Sequence, residues 1–122
     1  MVDIDRFHEM VEELAAEIPE ALTAQLNGGI HTRPEPLPSS QINGYILGQY
    51  HQQHAGLGRY IVLYYGSFEA MFSHLDEDLI KEKIGEILLH ELTHHLESLA
   101  GVNDLVAEDN RNLAKWKKQQ KT

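Results

Sequence analysis

There is no cysteine among the 122 residues. This excludes a disulfide framework, a thiolate nucleophile and any thiolate metal ligand, so a transition-metal site here would rest on histidine and carboxylate. Long apolar runs are missing as well. None approaches the roughly 18 consecutive residues that span a bilayer. The first residues show no basic stretch leading into an apolar one, so the expected setting is cytoplasmic, with no membrane partner. Basic side chains are scarce: 10 Lys and Arg stand against 19 Asp and Glu, for a formal net charge of −9. Nucleic acid is therefore an unfavourable partner, because binding phosphate needs a basic face. Proline is sparse too, and most of it falls in one stretch, at Pro34, Pro36 and Pro38. Prolines at alternate positions cannot pair within a central strand, which makes this stretch a loop or a sheet edge.

What is present describes one globular domain over residues 1–122, with 42% hydrophobic residues and enough length for its own core. Acidic residues crowd the start (Asp3, Asp5, Glu9, Glu12, Glu13, Glu17, Glu20), and basic ones gather late (Arg111, Lys115, Lys117, Lys118, Lys121). Both groups read as solvated helix faces.

Apolar spacing predicts a helix over residues 3–18, carried by Ile4, Phe7, Met10, Val11, Leu14 and Ile18. Pro19 ends it or opens a short successor, and Asn27-Gly28-Gly29 breaks the chain. Strands are expected at 30–33, at 45–50 and, most clearly, at 60–65, where aromatic and β-branched residues follow one another. Residues 51–58 read as a hairpin connection, with His51 and His54 as loop residues near a cleft mouth. Gly66-Ser67 reads as a break before a short helical turn at 68–72. The longest pattern is a helix over 76–100 with Ile80, Ile84, Leu88, Leu92, Leu96 and Leu99 on its apolar face. Gly101 is placed to cap its C-terminus, and a final helix is expected over 104–118.

The chemistry sits near the end of the long helix, where residues 90–94 read His-Glu-Leu-Thr-His. Histidines four apart lie one turn apart on one face, so His90 and His94 can converge on one metal ion. Glu91 lies beside them, placed to take a proton from a water activated by that ion. The spacing is the H-E-x-x-H signature of zinc metalloproteases, in which a zinc ion keeps three protein ligands and an open position. The third ligand must come from beyond the motif. Asp104 is the first choice, since a chain turning back at Gly101 brings it under the metal. Glu97 shares the histidine face, and Glu108 or Asp109 could reach in from the following helix. Tyr64, Tyr65 and His95 are the candidate donors for a developing oxyanion, although His95 projects near the apolar stripe and reads first as a packed core residue.

The segment His90-Glu91-Leu92-Thr93-His94-His95, closed by Gly101 and Asp104, resembles the small single-domain zincin-like metallopeptidases of bacteria. Ile18-Pro19-Glu20, the proline-rich loop and Ile61-Val62-Leu63-Tyr64-Tyr65-Gly66 follow the same order, so the likeness covers roughly residues 10–110. Between His94 and Gly101 this chain carries about one helical turn more than the family's compact form, the extra residues being Glu97-Ser98-Leu99-Ala100. The resemblance implies an α+β, zincin-like domain, with a small mixed or antiparallel sheet packed on an N-terminal helix and the long H-E-x-x-H helix. It also implies zinc-dependent hydrolysis of a peptide or protein substrate. On this reading Glu91 is the general base, His90, His94 and Asp104 hold zinc, and the 60–65 strand is a sheet edge that receives the substrate. The competing expectations are a zinc-binding interaction module without turnover and a regulatory protease specific for one partner protein. They part on whether Glu91 is needed and on whether generic peptides are cut.

Overall fold

The computed structural model describes residues 1–41, 43–52 and 58–100. The final helix expected over 104–118, and with it Asp104, Glu108 and Asp109, lies outside the described residues, as do Gly101 and His54.

Helix α1 (Ile4–Ala16) starts where Asp3 accepts the backbone N–H of Arg6 at 2.8 Å, satisfying one of the donors that a helix start leaves unpaired. Its buried side is Phe7, Met10, Val11 and Leu14, the i, i+3, i+4, i+7 stripe that the sequence predicts. Pro19 stops this helix and stands at the N-cap of a single turn, α2 (Glu20–Thr23).

Among the described residues five strands follow: β1 (Gly29–Arg33), β2 (Pro38–Ser39), β3 (Gly44–Tyr45), β4 (Gly48–His51) and β5 (Tyr60–Tyr64). The main sheet has the order β1-β5-β4, with β1 parallel and β4 antiparallel to the central β5. β2 and β3 form a small antiparallel pair beside it. The expected strand over 45–50 is thus two strands, divided at Ile46, whose N–H donates to the carbonyl of Leu37 at 2.8 Å.

A larger correction concerns β5, expected at the sheet edge and found at its centre. Ile61 and Leu63 are fully buried on one face and Val62 is 5% exposed on the other. Apolar residues buried on both faces suit a central strand whose two faces are both covered. The edge beside the long helix is β4.

Helix α3 (Tyr65–Phe72) begins directly after β5 and includes Gly66 and Ser67, so the expected break there is absent. The pair serves contact rather than interruption. A Cβ on Gly66 would lie 2.3 Å from the nitrogen of Pro36, and the Ser67 hydroxyl accepts the N–H of Leu37 at 2.9 Å. The proline-rich loop therefore docks on the start of this helix.

Asp76 accepts the N–H of Leu79 at 3.0 Å and opens α4 (Glu77–Ala100). Ile80, Ile84, Leu88 and Leu92 are fully buried, packed with Phe7, Met10, Leu22, Ile61, Leu63 and Phe68 into one core. Glu13 ties α1 to α4 at the surface, 2.7 Å from Arg6 and 3.1 Å from Lys81. Among the described residues no helix is long and apolar enough to cross a membrane.

Candidate metal centre

The stripe that buries α4 leaves its opposite side to solvent, and His90 and His94 stand there, both exposed. Their Nε2 atoms are 3.2 Å apart and their rings meet edge to face at 88°. Two nitrogens bound to one tetrahedral zinc at about 2.0–2.1 Å stand about 3.3 Å from each other. The spacing of the pair therefore fits a zinc ion, for which each Nε2 would present its lone pair.

Glu91 sits at the border between the apolar stripe and the histidines. It is only 6% exposed, yet it borders the same cleft. Burial pushes its carboxyl above the ordinary carboxylate range, while the charges of His90 and His94 and the nearby backbone N–H of Tyr50 pull the other way. A carboxylate raised in this manner is a better proton acceptor near neutral pH than an exposed one.

The cleft, of about 900 Å³, runs between α4 and the edge strand β4. Gly48, Tyr50 and His51 border it from the strand, and His90, Glu91, His94 and Glu97 from the helix. Gly48 makes the approach possible, because a Cβ there would lie 2.9 Å from both Ile87 Cγ2 and Leu63 Cδ2. Among the described residues no third His, Asp or Glu stands close enough to form a ligand group with the histidine pair. Glu97 borders the cleft without joining such a group.

Other expected participants are engaged elsewhere. The Tyr64 hydroxyl donates to Gln49 Oε1 at 2.8 Å on the outer sheet face, and the Tyr65 hydroxyl donates to the carbonyl of Val2 at 2.8 Å. Neither borders the cleft. His95 is fully buried in the core, in keeping with its position near the apolar stripe. His51, expected in a loop, is instead the last residue of β4; it stacks on Tyr60 at 4.7 Å and borders the cleft.

Sequence reasoning missed Tyr50, Arg59 and Ser98. Tyr50 and Ser98 border the cleft, and Arg59 donates from Nη1 to both of their hydroxyls. Ser98 was within reach of the helical pattern, four residues after His94. Tyr50 was within reach of strand alternation, two after Gly48. Nothing local to Arg59 points to the helix, since the contact spans two elements far apart in sequence.

No curated protein matches this sequence. Among solved structures it is similar to a conserved hypothetical protein from Thermus thermophilus, with 38% identity, a TM-score of 0.72, and coverage of 83% of this chain and 100% of that one. The zincin-like metallopeptidase family matches residues 5–112, which include the strands, the histidine pair and the buried glutamate. This chain belongs to the zincin-like metallopeptidase family.

Proposed function

We propose that the protein is a zinc-dependent peptidase that hydrolyses extended peptide segments laid along β4, with His90 and His94 as metal ligands and Glu91 as general base. The observation that carries this reading is the 3.2 Å separation of the two Nε2 atoms, beside a carboxyl held in a buried position on the same cleft. Asp104 remains the proposed third ligand, with Glu97 the alternative that shares the cleft.

Zinc held there would acidify a water and polarise the scissile carbonyl. The protein's own residues do the rest. Glu91 takes a proton from the attacking water, holds it in its sheltered position, and returns it to the leaving amine. Among the described residues β4 is paired on one side only, so the backbone groups of Gly48 and the carbonyl of Tyr50 are turned outward, where an extended chain could pair with them. The cleft is open along its length, which suits flexible segments over folded domains.

Glu91→Gln separates this reading from a binding module. The exchange keeps the shape of the side chain and removes the base, so zinc affinity should stay within about twofold while turnover falls by roughly 100-fold or more. Turnover that survives the substitution removes Glu91 as the base. A protein that binds zinc and cuts neither generic peptides nor a cognate partner supports the interaction module.

A further inference from the structure

The hydroxyl of Tyr50 lies between a donor, Arg59, and a ring nitrogen of His95. Arg59 Nη1 stands 3.3 Å from it and can only donate. The tyrosine proton therefore goes to His95 Nδ1 at 2.9 Å, which leaves the histidine proton on Nε2, donating to the carbonyl of Ala24 at 2.9 Å. Arg59 also reaches the Ser98 hydroxyl on α4. One side chain on β4 is thus tied to the buried interior of α4, to the chain after α2 and, through Arg59, to the last turn of α4.

The backbone of the same residue points the other way. The Leu47 carbonyl accepts the N–H of Tyr64 at 2.9 Å, so Leu47, Gln49 and His51 turn their polar groups toward β5, and Gly48 and Tyr50 turn theirs outward. The outward N–H of Tyr50 is thus on the side of the cleft that it shares with Glu91, and it pulls the Glu91 carboxyl downward against the effect of burial. β4 has four residues and, among the described residues, a neighbour on one side only, so sheet pairing alone fixes it weakly.

We propose that Tyr50 is a positioning residue for the base: its backbone N–H orients the Glu91 carboxylate, and its hydroxyl, held between His95 and Arg59, fixes the strand that carries this N–H. The inference rests on the reading of Glu91 as general base. Loss of the hydroxyl lets the edge strand drift from α4, and a displacement of about 1 Å between base and substrate is enough to slow a reaction severely.

The test uses Tyr50→Phe, His95→Asn, His95→Gln and the double variant Tyr50→Phe/His95→Gln. Asparagine puts an acceptor near the former Nδ1 and keeps the link to Tyr50, whereas glutamine puts a donor near the former Nε2 and keeps only the link to Ala24. The first readout is hydrogen exchange of the amide of residue 50 in metal-free protein, with Glu91→Ala setting the unprotected limit. Tyr50→Phe and His95→Gln should each speed that exchange roughly tenfold while the β5 amides of Ile61 and Leu63 keep their rates. His95→Asn should speed it clearly less. The second readout is casein hydrolysis by the zinc-loaded protein, where kcat should fall roughly tenfold in Tyr50→Phe with KM within about twofold. The double variant should be no slower than Tyr50→Phe alone.

Unchanged exchange at residue 50 in Tyr50→Phe overturns the proposal, as do losses in His95→Asn and His95→Gln that simply follow their melting temperatures. If Tyr50→Phe does not fold, the two histidine variants decide. A wild type that leaves casein intact counts against the peptidase reading alone, and the exchange rates still decide the role of Tyr50.

Discussion

The two long sides of α4 are made from one continuous helix and obey different physics. On one side, Ile80, Ile84, Leu88 and Leu92 are fully buried against α1 and the sheet. On the other, His90 and His94 are exposed, with nitrogens at ligand spacing and a cleft in front of them. The first side holds the fold, and the second carries the proposed chemistry. Glu91 sits on the boundary, which is why it is both nearly buried and able to reach the cleft. A change on the apolar side should therefore cost folding and spare the chemistry of whatever folds. A change on the polar side should do the reverse.

The sharpest contrast comes from His94→Ala. It should lower zinc affinity by roughly 100-fold or more and remove peptide hydrolysis, while metal-free protein melts within a degree or two of wild type. Zinc titration and calorimetry check both halves, and a large loss of metal-free stability would break the division. Leu88→Ala is the mirror experiment. Its cavity should cost about 2–5 kcal/mol in denaturant unfolding, with zinc affinity of the folded fraction unchanged.

Gly48→Ala probes the seam between the two regions, since the added methyl would press on Ile87 and Leu63. Overpacking here should cost about 1–3 kcal/mol and widen the cleft, lowering hydrolysis more than zinc affinity. The smallest effect is expected from Glu13→Gln, far from the cleft. Arg6, then Lys81, hold the Glu13 carboxyl below its ordinary range by hydrogen bonding and charge. A carboxyl with a depressed folded-state pKa contributes stability above its unfolded pKa and loses it as pH falls through the folded value. The melting temperature of Glu13→Gln should thus lie slightly below wild type at neutral pH and meet it in acid.

Much of this was legible from residue patterns. Asp76 before a helical stripe marked the start of α4 to within a residue, Phe7 to Leu14 gave the buried side of α1, and the His90–His94 spacing gave the pair that converges. These features are local, set by helix periodicity and capping. The order β1-β5-β4 was not legible, because which strand sits at the edge depends on a parallel pairing between segments some 30 residues apart. The role of Gly66-Ser67 was hidden for the same reason. Glycine and serine look like a break until the partner, the loop at Pro36 and Leu37, is known. Asp104 was read from its place after Gly101, and it lies outside the described residues.

The proposed division of labour in α4 depends above all on whether its exposed histidines hold a metal ion. Elemental analysis of untagged protein, purified without chelators, tests this most directly. The account predicts about one zinc per chain in the wild type and close to none in His94→Ala. Zinc absent from the wild type, or retained in full by the variant, would contradict it.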